Sequence, residues 1–568
     1  ETQYRNETTF ALSNGYIGSR GTFEEGYDFS EEEGMEGNFI NGFYESESIR
    51  YGEWNFGFPT ESQSLLNLPN LKTIRLWIDE EEFDMGVGEM ESYGRTLHMK
   101  EGIVSRDLIW KSPKGKKIKL HTERLVSFSH KNIMAISYQV TPLNFTGTLR
   151  LRTELRSQVE NHTRKTNPLV DYGPFGKHLE ADKMKSDETG FFYQGTTKNS
   201  RLTMACGSRN RVFREGKEEK EEKLLKCEIE KEQITYTLLG REKETISMEN
   251  FICYSSMLDM APEKLEDFIQ TELNRACREG YAEIKAEQKA YLSSFWKSAD
   301  VKIYGDDSLQ QGIRFNLFHT MQAVGRDGKT GMGAKGLSGE GYEGHYFWDT
   351  EMYILPVFAY TDSKLAKSIL DYRYHTIEDA RDRARVLGHP KGALYPWRTI
   401  NGKEASTYFP LGTAQYHING DIAYACKLYV DVTGDYNYLE ENAAEILIET
   451  ARVWADVGCF AESKGNRYCI CAVTGPDEYN AIVDNNFYTN LMARENLRDA
   501  IWALNTIKER NRKAYEALIQ RLEIEPEEVP YWQRIVENMY FPFDETRKIY
   551  PLDDGFMQRK PWDDSKIP

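Results

Sequence analysis

Apolar and polar residues alternate through Ile118–Phe128 (IKLHTERLVSF), Ile133–Leu143 (IMAISYQVTPL) and Thr148–Leu155 (TLRLRTEL). That two-residue period predicts half-buried β-strands, and polar, Gly- or Pro-containing turns separate them. Leu71–Asp79 (LKTIRLWID) and Ser200–Ser208 (SRLTMACGS) carry the same signal. Strands in series with few helical stretches predict an antiparallel β-sandwich over residues 1–255.

The period changes near Pro262. From there to Trp296 the spacing is helical, interrupted only by Gly280, which predicts a helical linker over 256–300. Beyond VKIYGDD the pattern stays helical. SLQQGIRFNLFHTMQAV, KLAKSILDYRYHTIEDARDRA, AQYHINGDIAYACKLYVDV, LEENAAEILIETARVWADV and NLMARENLRDAIWALNTIKER each read as a helix. Ala444, Leu447, Ile448, Ala451, Trp454 and Ala455 form one apolar stripe, and Gly434 is placed to end the preceding helix. Long helices joined by loops rich in Gly, Trp, Asp and Glu predict an α/α toroid over 301–568 with functional loops at one end.

The composition fits a folded protein of several domains: 568 residues, 40% hydrophobic and 12% aromatic. The 10 Trp, 34 Tyr and 27 Phe would suit a carbohydrate cleft and a large core equally well. A net charge of −18, with no long basic block, argues against nucleic-acid binding. The mixed-charge run Glu215–Glu232 reads as a solvated hairpin. Eight cysteines do not make a disulfide framework in so long a chain. Cys469 and Cys471 alternate like strand residues without the second pair a zinc site needs, so reduced thiols in a cytoplasmic protein are expected. The Asn-x-Thr triplets at Asn6, Asn144 and Asn161 carry little weight without a secretory signal. No apolar stretch is long enough to span a membrane. The sequence starts without methionine and both ends read as cut, which leaves a removed leader open.

Three loops between the helices hold what a sugar site requires. GEGYEGHYFWDTEMY (339–353) sets Trp348 beside Asp349: aromatic faces stack on pyranose rings, and carboxylates accept from vicinal hydroxyls. The same pair could equally be a buried ring and a helix cap. GALYPWRTINGKEASTYFPLGTAQYHINGD (392–421) offers Trp397, Arg398, Glu404, Gln415, His417 and Asn419, whose polar groups need partners if buried. TGPDEYNAIVDNNFYTN (474–490) turns at Gly-Pro and presents Asp477 and Glu478 ahead of a helix beginning after Asn490. An acid set against an aromatic wall would have its pKa raised, as a proton donor near neutral pH needs. There is no H-E-x-x-H, no phosphate loop and no G-x-S-x-G elbow. Carboxylate chemistry, or binding alone, is left.

Together GHYFWDTEMY, LYPWRTINGKEASTYFPLGTAQYHINGDIAYA and TGPDEYNAIVDNNFYTN resemble glycoside hydrolase family 65, which includes inverting phosphorylases of maltose, trehalose and kojibiose. ETTFALSNGYIGSRGTFEEG and RTLHMKEGIVSRDL match the family's β-domain, so the resemblance covers essentially the whole chain. It implies an N-terminal antiparallel β-sandwich, a helical linker and an (α/α)6 barrel, here stopping before its last helices and before a C-terminal β-domain. It implies Glu478 as general acid and Trp348 and Asp349 in the subsite of the transferred glucose. Trp397, Arg398, Gln415, His417 and Asn419 fall in the segment shaping the acceptor site.

The implied reaction is phosphorolysis of an α-glucosyl disaccharide with inversion, giving β-glucose 1-phosphate. Inorganic phosphate would be co-substrate, with no cofactor or metal. An inverting hydrolase needs a carboxylate base opposite the acid, whereas phosphate is already an anionic nucleophile, so Asp477 reads as a support for its loop. The family's Lys-Gln-Ala-Asp segment and its phosphate-binding Ser and His residues are absent from the sequence up to Pro568. The acceptor segment leans toward an α-1,2-linked substrate such as kojibiose, with trehalose, nigerose and glucosylglycerol open. A hydrolase of the same family and a non-catalytic carbohydrate-binding protein are the alternatives. The family's usual homodimer is expected as well.

Overall fold

The computed structural model describes residues 2–26, 35–49, 51, 57–161, 176–220, 225–406, 410–561, 563 and 565. The rest of the Asn161 triplet, part of the Glu215–Glu232 run and residues 407–409 of the acceptor segment lie outside them. The chain divides into two compact units. One comprises Glu1–Glu47, Gln63–Gly325 and Met332–Gly344; the other comprises Ser48–Ser62, Arg326–Gly331 and His345–Pro568.

The first unit is the expected sandwich. Among the described residues, its large sheet runs in spatial order from Leu179–Asp187 through Gly190–Thr197, Thr203–Arg214, Ile246–Ser256, Ile133–Pro142, Lys117–Val126 and Ile103–Lys111 to Glu89–His98. A smaller sheet is built on Ile74–Ile78, Gly147–Glu154 and Gln233–Gly240. The pairings are antiparallel, with Ile133 opposite Cys253 and Ile136 opposite Asn250. The two-residue period sorts the side chains. Ile133 and Ala135 face the linker helix, while Met134, Ile136, Tyr138 and Val140 are buried on the other face. On that face Asn250 Nδ2 donates to the Leu71 carbonyl (3.0 Å) and Asn210 Nδ2 to Thr153 Oγ1 (3.1 Å), tying sheet to sheet. Within the mixed-charge run the described residues form two separate pairings, Lys217–Glu218 with the end of Thr203–Arg214 and Leu225–Ile229 with Gln233–Gly240.

The linker is a long helix, α1 (Leu265–Ala299), broken where the sequence places Gly280, at φ 79°. Leu265, Ile269, Leu273, Ala276, Tyr281 and Ile284 repeat at helical spacing and pack on Ile103, Leu125, Ile133, Ala135, Phe251 and Cys253 of the large sheet. Gln288 locks the far end. Its Oε1 accepts from the Phe128 amide (2.9 Å) and its Nε2 donates to the Val126 carbonyl (3.1 Å). A second helix, α2 (Asp307–Ala323), also belongs to this unit, so the compact division falls at Gly325 rather than near 301.

The second unit is helical, with α3 (Leu355–Thr361), α4 (Ser363–His375), α5 (Ile377–Val386), α6 (His417–Thr433), α7 (Ala444–Val457), α8 (Phe487–Arg510), α9 (Arg512–Arg521) and α10 (Glu528–Asn538). Gly434 closes α6 in the left-handed conformation at φ 67°. On α7 the predicted stripe is buried from Ala444 to Trp454, and Ile446 and Val453 on the other side are buried too. Trp454 Nε1 donates to Asn496 Oδ1 (2.9 Å), and Asn496 Nδ2 donates back to the Leu447 carbonyl (3.2 Å), fixing α7 to α8. No helix among the described residues is long and apolar enough to cross a membrane.

Leu273→Ala should cost about 2–5 kcal/mol by opening a cavity under α1. Exposed Glu283→Ala should stay within about 0.5 kcal/mol. Urea denaturation of the two variants checks this.

Candidate active site

Glu478 hangs from a small backbone clamp. Val473 and Val483 exchange N–H···O bonds of 3.0 and 2.8 Å, closing the loop between them. Below this bridge the Asn485 amide donates to the Ile470 carbonyl (2.8 Å), the Ile470 amide to Asn485 Oδ1 (3.2 Å) and the Ala472 amide to Asp484 Oδ1 (3.0 Å). Gly475 has to be glycine, because a Cβ there would come within 2.5 Å of the Asn486 amide nitrogen. Ala472, Ile482 and Asn485 all take left-handed backbone, at φ 57°, 53° and 54°. For a β-branched residue such as Ile482 this is strain of about 1–3 kcal/mol, the kind that surrounding structure must hold in place. Asp477 braces the turn, accepting from the Tyr479 amide (3.2 Å) and from Asn480 Nδ2. It supports the loop, as read from the sequence. Helix α8 then starts earlier than expected, with Asn486 Oδ1 capping the Thr489 amide at 3.0 Å.

The Glu478 side chain is exposed. It is not pressed against an aromatic wall as expected. Its partner is an amide, Gln415 Nε2, which donates to Glu478 Oε1 at 3.0 Å. One step back, the Thr474 amide donates to the Ala414 carbonyl (3.0 Å), so the 474–490 loop and the 392–421 segment are joined through backbone and side chain at adjacent positions.

Trp348 and Asp349 enter a π-helical turn, Thr350–Ile354, that leads into α3. Asp349 does not cap it, which leaves the carboxylate uncommitted to the helix. Although the residue is exposed overall, partial burial of the carboxyl raises Asp349 above its ordinary range, and the negative charges of Glu478 and Asp421 add to this. The three carboxylates therefore share one electrostatic neighbourhood. Trp348 is buried with its ring at the edge of the His417 imidazole, centroids 4.9 Å apart.

Two of the expected sugar contacts lie fully buried. His417 is fully buried. Its Nδ1 pairs with Asp421 Oδ2 (2.7 Å), and the ring packs between Trp348 and Tyr488. Asn419 is likewise fully buried, its Oδ1 accepting from the Tyr395 amide (3.0 Å) and its Nδ2 donating to the Ala393 carbonyl (2.8 Å). With both ends of the amide used, it shapes the 393–395 backbone instead of meeting a hydroxyl. Asp421 also accepts from Tyr488 OH (2.6 Å), and burial keeps its carboxyl above the usual range despite both donors. Asp421 and Tyr488 were missed as site residues; the His-x-x-x-Asp spacing within a helix was the available signal for the first.

Trp397 and Arg398 stand together: the guanidinium lies 4.6 Å from the Trp397 ring centroid and 5.0 Å from that of Phe347. Glu404 organises this corner, accepting from the amides of Trp397 (2.7 Å), Arg398 (3.2 Å) and Ser406 (3.1 Å). A Cβ on Gly412 would come within 2.1 Å of the Trp397 ring, so glycine is required for that approach. Beneath the Trp-Asp turn, Glu351 and Arg373 form a fully buried bidentate pair at 2.7 and 2.9 Å. Burial raises Glu351 in spite of Arg373. Glu351→Ala should cost about 3–5 kcal/mol, because it strands the Arg373 charge, whereas the double replacement Glu351→Leu/Arg373→Met should cost far less. Chemical denaturation of the two variants reads the difference.

Two family models match this chain: the glycosyl hydrolase family 65 N-terminal domain over residues 1–295 and the family's central catalytic domain over 314–567. The α,α-trehalose phosphorylase of Thermoanaerobacter brockii is 44% identical over 99% of this chain and 72% of its own length. That of Geobacillus stearothermophilus is 42% identical over 100% and 73%. A kojibiose phosphorylase of Halothermothrix orenii is 33% identical over 97% and 70%. A solved structure from the human microbiome, whose name assigns it provisionally to the kojibiose phosphorylases, superposes with a TM-score of 0.86 at 24% identity, covering 99% of this chain and 71% of that one. On the matched domains and these identities, the chain belongs to glycosyl hydrolase family 65.

Proposed function

We propose that this chain carries out inverting phosphorolysis of an α-glucoside, with α,α-trehalose the first substrate to try. The observation that carries the reading is the 44% identity, over 99% of the chain, to a trehalose phosphorylase. The sequence alone leans toward an α-1,2-linked substrate. Kojibiose phosphorylases, however, match at 31–33% identity, against 42–44% for the trehalose phosphorylases named above.

In this reading Glu478 protonates the glycosidic oxygen as its bond to the anomeric carbon breaks through an oxocarbenium-like state. Phosphate attacks the opposite face of that carbon. The products are the free acceptor sugar, carrying the Glu478 proton, and β-glucose 1-phosphate; Glu478 recovers a proton from solvent. Trp348 and Asp349 hold the transferred glucose, the ring by its apolar face and the carboxylate by its hydroxyls. Trp397 and Arg398 border the acceptor, while Gln415 meets the acid itself. His417 and Asn419 serve from behind, the first by seating Trp348 and the second by fixing the loop. The exposed Glu478 of the free protein fits a donor whose surroundings close when substrate fills the site.

Incubated with α,α-trehalose, the full-length enzyme should release glucose and β-glucose 1-phosphate only when phosphate is present. Glucose release that ignores phosphate would overturn the reading. Glu478→Gln should lower turnover of the disaccharide by about 10²–10⁴-fold with the fold intact by circular dichroism.

A further inference from the structure

We infer that Gln415 is a positioning residue for the proton donor: it decides which oxygen of Glu478 carries the proton and stabilises the carboxylate left behind. The inference rests on the reading that Glu478 is the acid. Gln415 is 4% exposed, and its Nε2 donates to Glu478 Oε1 at 3.0 Å. Its own backbone is pinned, the amide donating to the Gly412 carbonyl (3.1 Å), and the residue before it receives the Thr474 amide (3.0 Å). The side-chain contact therefore spans two segments already fixed to each other, so little freedom is lost in holding it.

The chemistry follows from what each group can do. An amide nitrogen only donates, and an amide oxygen only accepts. A proton on Glu478 Oε1 would face the N–H of Gln415, so the acid proton must sit on Oε2, the oxygen left for the glycosidic bond. Turning the amide over would set oxygen against carboxylate. The orientation observed leaves Gln415 Oε1 buried without a hydrogen-bond partner among the described residues, an imperfection that calls for an explanation. The oxygen goes without because the donor end is committed to Glu478. As the proton leaves, a neutral hydrogen bond becomes a charge-assisted one, roughly twice as strong. An interaction stronger in the transition state than in the ground state raises kcat, whereas uniform binding does not.

The test uses full-length Gln415→Leu and Gln415→Glu, with Glu478→Gln as comparator, on α,α-trehalose and on α-glucosyl fluoride, whose leaving group needs no proton. Gln415→Leu should lower kcat on trehalose by about 10- to 100-fold and leave phosphorolysis of the fluoride within about threefold. Gln415→Glu, nearly isosteric, sets a second carboxyl beside Glu478. It should shift the basic limb of the pH–rate profile upward by about one unit, because like charges disfavour the second ionisation. Equal losses on both substrates would reduce Gln415 to a structural role, and an unchanged kcat on trehalose would remove it altogether; either result overturns the inference. Should Gln415→Leu fail to fold, an unmoved basic limb in Gln415→Glu overturns it instead. The two readings separate on Glu478→Gln. If that variant keeps trehalose turnover, the acid assignment itself falls. If it loses turnover while the Gln415 variants keep theirs, only the role of Gln415 falls.

Discussion

The pair of backbone hydrogen bonds between Val473 and Val483 is the constraint on which the site depends. Between them Pro476, Asp477, Glu478 and Tyr479 form an exposed excursion with little packing of its own; Tyr479 at its tip is 89% exposed. Such a loop would wander if only its ends were tied. Here the tie sits directly on the long helix α8, through Asn485 and the cap at Asn486, and on the acceptor segment, through Thr474 and Ala414. The left-handed residues Ala472, Ile482 and Asn485 mark the cost of bending the chain so sharply at both shoulders. That strain persists because the ladder and the buried side of α8 over-determine it.

A second layer of constraint lies under Trp348 and Asp349. Trp348 cannot be placed by its own turn, a π-helical one that leaves Asp349 uncapped. It is placed by His417, which is held in turn by Asp421 and Tyr488. Glu351 and Arg373 anchor the same turn from below. Several buried polar groups here are paired with one another, as His417 is with Asp421 and Glu351 with Arg373, whereas Asp349 and Glu478, nearer the surface, carry less committed carboxylates. This division is what a sugar site needs, since hydroxyl-binding groups must be free to exchange water for substrate while their rotamers stay fixed.

Much of the fold was legible because periodicity is a local property. The strand Ile133–Pro142, the break at Gly280 and the cap at Gly434 all follow from residue spacing and from what glycine alone can do. The unit boundary was less legible: α2 has an ordinary helical pattern, and nothing in its sequence says which core it joins. At the site, the motif residues Trp348, Asp349, Gln415 and Glu478 were readable, while their division of labour was not. His417 and Asn419 look like ligands in sequence because polar residues amid aromatics are rare. Only the tertiary structure reveals that a carboxylate four residues on takes Nδ1 of His417 and that two backbone groups take both ends of the Asn419 amide.

The same limit explains the mistaken expectation for Glu478. Sequence places the acid beside Tyr479 and aromatic-rich loops, and an aromatic wall would supply the needed upward pressure on its proton affinity. In the structure Tyr479 turns to solvent and Glu478 meets an amide. A ring would only have excluded water from the carboxyl, whereas an amide holds one of its oxygens by a directional bond, so what the structure fixes at Glu478 is the orientation of the group.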